Sequence, residues 1–145
     1  MGYTHYWEFN GSHTPEQLSS AIAACNKIVR KTKVRLGDWA GGRKGPDLRK
    51  DLCRFNGYGD DAHETFSLSP EKATGFQFCK TAYKPYDLVV VACLVALKHH
   101  LGGAVNVTSD GENYDWEEGV ALCNEVLGYG GDFVLGGELT TTRQP

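Results

Sequence analysis

Two lysines, a threonine hydroxyl, a tyrosine and an aspartate fall close together at Lys80, Thr81, Lys84, Tyr86 and Asp87, directly ahead of an unbroken apolar run from Leu88 to Leu97. At a helix start, backbone N–H groups lack partners and the dipole is positive, so lysines gathered there meet the requirements of an anion site. Ser109 and Asp110 close another strand-like segment ahead of a helical pattern, and ligands collect at such strand ends. If both loops open on one side, these residues line one cleft for a phosphate or carboxylate. Each charge-assisted contact would contribute roughly 1.5–3 kcal/mol. Lys80 or Lys84 can equally pair with Asp87 or Asp110 to hold the two loops together. His5, beside Tyr3 and Trp7, either stacks on a flat ligand or sits as a satisfied core histidine. Trp39 and Tyr86 are further stacking candidates.

Other chemistry is thinly represented. Cys79 adjoins Lys80, which lowers a thiol pKa only if the thiol is exposed. His99 and His100 are neighbours and point about 100° apart on a helix. His5, His13 and His63 lack ligand spacing, so no metal and no cofactor is expected. His63-Glu64-Thr65 matches one His-x-Thr element of two-histidine phosphoesterases, which need a second that is absent. The glycines around Arg43 and Lys44 do not form a phosphate-loop pattern. No catalytic residue is assigned.

The elements that must position these groups follow from periodicity. Residues 2–9 alternate as a strand with aromatics on both faces. Thr14-Pro15-Glu16-Gln17 opens a helix over 14–31, with Thr14 as cap, Pro15 at the first position and Gln17 closing a capping box. Val34 and Leu36 suggest a short strand, and 46–52 one helical turn. Strands at 53–57, 64–68 and 75–80 most simply form an antiparallel meander. The run 88–97 is apolar on every side and, at about 15 Å, spans half a membrane, so it belongs in a core. Asp87 is placed to cap it; Lys98, His99 and His100 suit its negative end, and Gly102-Gly103 its stop. A strand at 104–108, a helix at 114–127 with Asp115 and Glu118 as cap and box partner, an edge strand at 132–135 and a frayed tail from Thr140 complete the chain. The expectation is one α+β domain over residues 1–145. It has a mixed sheet with an antiparallel central meander and three main helices, one of them a buried apolar helix.

The totals exclude several classes. A chain of 145 residues with 41% hydrophobic and 23% charged residues suits one globular core. A net charge of −3 argues against nucleic acid as a partner. Ten of the fifteen basic residues lie between Lys27 and Arg54, whereas Asp110–Glu138 is acidic. That dipolar pattern describes two solvated faces, or surfaces that pair within or between copies. Five cysteines without a C-x-x-C pattern point to a reducing cytosol and no disulfide framework. No signal peptide or membrane span is expected, so the location is cytoplasmic.

Four segments, MGYTHYW at the start, RFNGYGDDAHETF at 54–66, FQFCKTAYKPYD at 76–87 and SDG at 109–111, together resemble a family of small uncharacterised proteins from bacteriophages and bacteria, especially actinobacteria. The resemblance runs from Met1 to about Gly119 and implies a phage or prophage setting. It assigns no catalytic residue and agrees with a functional centre at 80–87. The leading expectation is therefore a cytosolic binder of a small anionic, nucleotide-type ligand. By analogy with small phage proteins, such a binder could sequester a host immune signalling nucleotide. Two alternatives stand beside it: an enzyme acting on a phosphate ester or nucleotide, and an interaction module that inhibits a host protein through its basic 27–54 surface. The glycine loops and aromatics are compatible with a homo-oligomer.

Overall fold

The computed structural model describes residues 2–142. Strand β1 (Thr4–Phe9) leads to helix α1 (Pro15–Lys31), followed by β2 (Leu36–Gly37), β3 (Asp47–Arg49), β4 (Leu52–Gly57), β5 (Phe66–Leu68) and β6 (Phe76–Lys80). Helix α2 (Asp87–Leu101), β7 (Val105–Ser109), helix α3 (Asn113–Leu127), β8 (Phe133–Gly136) and β9 (Glu138–Thr141) complete the order. The α+β class, the three helices and the buried apolar helix are as expected.

Helix α1 starts as its sequence dictates. The Thr14 hydroxyl accepts from Gln17 N–H at 3.1 Å and the Gln17 side chain accepts from Thr14 N–H at 2.8 Å, so both orphan donors are satisfied. Its stripe Leu18, Ala21, Ile22, Cys25, Ile28 and Val29 is buried. Helix α2 lies between α1 and α3 and against β7 and β9. Every residue from Val89 to Leu97 is buried, which accounts for the lack of a polar face. The stretch Asp87–Ala104 is apolar enough to pass for a membrane span, at mean hydropathy 1.4, yet 61% of it is buried inside this fold. Lys98 Nζ donates to the carbonyls of Gly102 at 3.0 Å and Val105 at 2.7 Å, so a cation does close the negative end of α2.

Five local expectations are corrected. Tyr86, in helical conformation and with no side-chain cap, precedes α2; the Asp87 carboxylate is turned toward β1 instead. At α3, Glu112 holds the cap position and its N–H donates to Asp115 Oδ2 at 2.8 Å; Glu118 takes no part. The expected turn of helix at 46–52 is strand β3, its start fixed by Asp47, which accepts from Arg49 at 2.9 Å and Arg54 at 3.0 Å. Near the end of the described residues lies a hairpin, β8–β9, turning at Gly137 with φ of 88°, a left-handed geometry that favours glycine. Thr140 and Thr141 are thus paired, and the rest of the expected tail, from 143 on, lies outside the described residues.

The fifth correction concerns the sheets. All strand pairings are antiparallel, in a five-stranded sheet ordered β6-β1-β7-β9-β8 and a smaller one in which β4 pairs with β2, β3 and β5. The sheet is not mixed, because β1 is inserted between β6 and β7. Those two strands run parallel across the α2 crossover without touching. The meander ends after β5. Strand β6 crosses over to β1, in a register that sets Cys79 opposite His5 and on the buried face.

Helices α2 and α3 meet at Gly119. A Cβ there would lie 2.3 Å from Val91 Cγ1 and 2.9 Å from the Leu88 carbonyl oxygen. In an open helix, Gly→Ala is worth up to about 1 kcal/mol of stabilisation. Here the backbone oxygen cannot yield, and overpacking costs about 1–3 kcal/mol. Gly119→Ala is therefore expected to destabilise by about 1–2 kcal/mol, read as a lower Tm. Adding Val91→Ala should give a double variant less destabilised than the sum of the two single changes.

Candidate functional site

The strand register sets His5 between Cys79 on β6 and Ser109 on β7, on the face toward the helices. His5 is fully buried. Its Nδ1 lies 2.8 Å from Ser109 Oγ and its Nε2 lies 2.6 Å from Asp87 Oδ1. The Thr81 hydroxyl, also buried, donates to the same Asp87 oxygen at 2.5 Å. Ser109 Oγ accepts from Gly111 N–H at 2.9 Å and from the Trp116 indole N–H at 3.3 Å. With both lone pairs engaged, the serine must give its own proton to His5 Nδ1. The ring then carries its hydrogen on Nε2 and donates to Asp87. One neutral tautomer satisfies the whole chain.

Serine, histidine and aspartate in contact evoke nucleophilic catalysis, but the geometry works against it. The serine oxygen has no lone pair left for attack, and the imidazole is sealed from solvent. A nucleophile needs a free lone pair and a base within reach of its proton. In this conformation the network is a bolt. It ties β1, β7, the loop after β6 and the first residue of α2 through buried, paired polar groups.

Above the bolt lies an aromatic stack. The Tyr3 ring meets His5 edge-on at 5.0 Å and is covered by Tyr83 at 3.7 Å with an interplanar angle of 21°. Tyr3 is buried, whereas Tyr83 is 64% exposed. The Tyr3 hydroxyl is buried without a hydrogen-bond partner among the described residues, and burial, then the Asp87 and Asp115 carboxylates, push its pKa up. A Cβ on Gly111 would fall 2.3 Å from that hydroxyl, so the residue in the 109–111 turn must be glycine for space. Ala82 and Tyr83 have φ of 53° and 60°. Two consecutive non-glycine residues in the left-handed region carry strain of order 1–3 kcal/mol each. The Tyr3 carbonyl holds them there, accepting from Thr81 N–H at 3.1 Å and Ala82 N–H at 3.2 Å. Asp110 lies beside the stack, accepting from Thr4 N–H at 3.1 Å and the Tyr6 hydroxyl at 3.0 Å. Loss of solvation raises the Tyr83 pKa, with the Asp115, Asp87 and Asp110 carboxylates adding to the effect.

The structure thus joins His5, Thr81, Asp87 and Ser109 directly and sets Asp110 beside them. The other expected site residues are elsewhere. Lys80 lies on the opposite face of the sheet, its side chain so close over Gly2 that a Cβ there would sit 2.7 Å from Lys80 Cε. Lys84 is half-buried in the strained loop and makes no ion pair among the described residues. Tyr86 is buried and its hydroxyl donates to the Glu64 carbonyl at 2.5 Å. Trp7 belongs to the core, 5.4 Å from Phe66. The start of α2 offers no open cradle: Asp87 N–H donates to Lys84 O at 2.9 Å, and the Val89 and Val90 N–H groups to Tyr86 O at 3.0 and 3.1 Å. Cys79 is buried, and burial pushes its thiol up to about 12, so it is no nucleophile at neutral pH. Among the described residues, no group of three His, Cys, Asp or Glu side chains could hold a metal ion.

Tyr83, Gly111 and Trp116 were not among the expected site residues. The signal for Tyr83 was available, as an aromatic in a short loop between a strand and a helix. Nothing local marked Trp116, four residues into α3 and far from His5 in the chain. Comparison with family models, with curated proteins and with solved structures finds no match for this chain.

Proposed function

We propose that this protein binds a small nucleotide-type ligand through its planar ring, which takes up the stacking position between Tyr3 and Tyr83. The observation that carries the reading is the strained stack. An exposed tyrosine is held flat on a buried one, by two residues in a conformation their side chains disfavour. Such strain is kept where surrounding structure over-determines it, and it gathers at ligand clamps. The two rings are in contact at 3.7 Å, so the ligand ring enters as Tyr83 lifts from Tyr3, which releases the strain and leaves the ligand stacked on both faces. Lys84, next in the loop, is the cation within the same segment for a phosphate. The carboxylates around Tyr83 oppose a multiply charged anion, so ring recognition supplies most of the affinity. In the phage setting that the resemblance implies, such a cytosolic binder would remove a host signalling nucleotide.

Titration calorimetry with a panel of nucleosides and linear and cyclic nucleotides tests this. Tyr83→Ala is expected to weaken binding by about 10–100-fold, the worth of one base–aromatic stack. Lys84→Ala should cost less, and Lys80→Ala, on the opposite sheet face, nothing. No binding across the panel, or undiminished binding by Tyr83→Ala, would sink the proposal. The enzyme reading has only the serine–histidine–aspartate contact in its favour, and the closed hydrogen bonding of that contact opposes it. It predicts a consumed ligand, whereas the binder returns it intact.

A further inference from the structure

We propose that β6 is a self-association edge, through which two copies of this chain join their five-stranded sheets into one continuous sheet. The inference is independent of the ligand reading. Strand β6 is the outermost strand of its sheet. The bonds from Thr81 N–H to Tyr3 O and from Phe9 N–H to Gly75 O set the phase of the ladder. Residues 75, 77, 79 and 81 bond to β1, and residues 76, 78 and 80 present their backbone groups to the outside. At Lys80 that side is closed, because its N–H donates to Glu64 Oε1 at 2.7 Å and its carbonyl accepts from Glu64 N–H at 3.2 Å. The backbone groups of Phe76 and Phe78 have no such partner among the described residues.

The side chains of this open window point the same way. Phe76 and Phe78 are 57% and 56% exposed, on the sheet face away from the helices. They form one cluster with Tyr6, at ring separations of 5.7 Å for Tyr6–Phe76 and 6.2 Å for Phe76–Phe78. Edge strands of soluble proteins are ordinarily blunted by charge, proline or a covering segment. Here the covering reaches only Lys80, and the uncovered residues are phenylalanines.

The occupant follows from symmetry. The open residues, 76 and 78, are placed evenly about Gln77. An antiparallel copy related by a two-fold axis through Gln77 sets Phe76 opposite Phe78 of the second copy, and Phe78 opposite its Phe76. Every exposed N–H and C=O of the window then finds a partner. The four phenylalanine rings meet on one face, flanked by the two Tyr6 rings, as cross-strand aromatic pairs. A closed two-fold pairing uses up the β6 edge of both copies and leaves none for a third.

The two Gln77 residues would form a non-hydrogen-bonded pair, with Cα atoms about 4.5 Å apart, within the span of a disulfide. The native cysteines are all buried and do not compete. Sedimentation equilibrium of the full chain should show a dimer, and Phe78→Lys should weaken its association by roughly tenfold or more while the subunit stays folded, read as an unchanged far-UV circular dichroism spectrum. Gln77→Cys should crosslink to a covalent dimer under mild oxidation, and Gln77→Cys with Phe78→Lys should not. A chain that stays monomeric at all concentrations tested overturns the proposal. So does a dimer that Phe78→Lys leaves intact, or a Gln77→Cys variant that is dimeric yet does not crosslink.

Discussion

Replacing Asp87 by alanine should lower stability by about 3 kcal/mol or more, read as a fall in the urea midpoint at constant m. The carboxylate oxygen receives both the His5 Nε2–H and the Thr81 hydroxyl, and both donors belong to fully buried residues. Alanine strands the two at once, and each buried unpaired donor costs about 1–3 kcal/mol. The Asp87 side chain is 15% exposed, so water can reach part of the vacated space, which sets the expectation in the lower half of the summed range. Asp87→Asn separates hydrogen bonding from charge. Its carbonyl oxygen can still accept from both donors, and the expected loss is about 1 kcal/mol. Thr81→Val removes a donor and strands none, for about 1 kcal/mol. An alanine variant within 0.5 kcal/mol of the parent, on the order of an ordinary surface change, would mean that Asp87 does not hold the bolt.

Leu94→Ala is the other large loss, about 3–4 kcal/mol. Leu94 is fully buried in the middle of α2, where α1 and α3 pack from either side. Removing its branched end forfeits both the transfer free energy and the contacts of a space that three helices cannot collapse to fill. Against a usual total of about 5–15 kcal/mol, that is a large share of the stability of the chain. Leu88, on the same helix but only half-buried, makes the comparison. Leu88→Ala should cost about 1 kcal/mol, since its site opens to solvent and leaves little cavity. Equal losses at the two positions would mean that α2 is not the centre of the core.

The site shows how far local reasoning reaches. Of the residues that the sequence marked near 80–87 and 109–110, Thr81, Asp87 and Ser109 converge with His5, as a closed network and not as an open cradle. Lys80 was expected beside Lys84. Strand alternation in fact sends its side chain to the far face of the sheet, and that depended on which strand β6 would pair with and in what register. A one-residue slip would have exchanged Lys80 with Cys79. The Tyr83 lid was not legible because its place on Tyr3 depends on two left-handed residues that no local preference selects. The docking of the loop on the Tyr3 carbonyl, and the bond from Lys84 N–H to the Thr81 carbonyl that closes the turn at 3.0 Å, hold them.

What the chain determined alone was local and strong. The Thr14–Gln17 box and Pro15 start α1, an all-apolar run makes α2 a core helix, and glycines after Leu101 and Leu127 stop two helices. Each of these rests on interactions within one or two turns, whose partners lie a few residues apart. The tertiary structure decided what lies beyond that range. It inserted β1 between β6 and β7, carried β6 out of the expected meander, and turned Asp87 from capping its own helix to holding His5. Strand edges offer the same backbone groups whichever partner arrives. The choice among partners therefore falls to side-chain burial across the whole fold, which no local window of sequence contains.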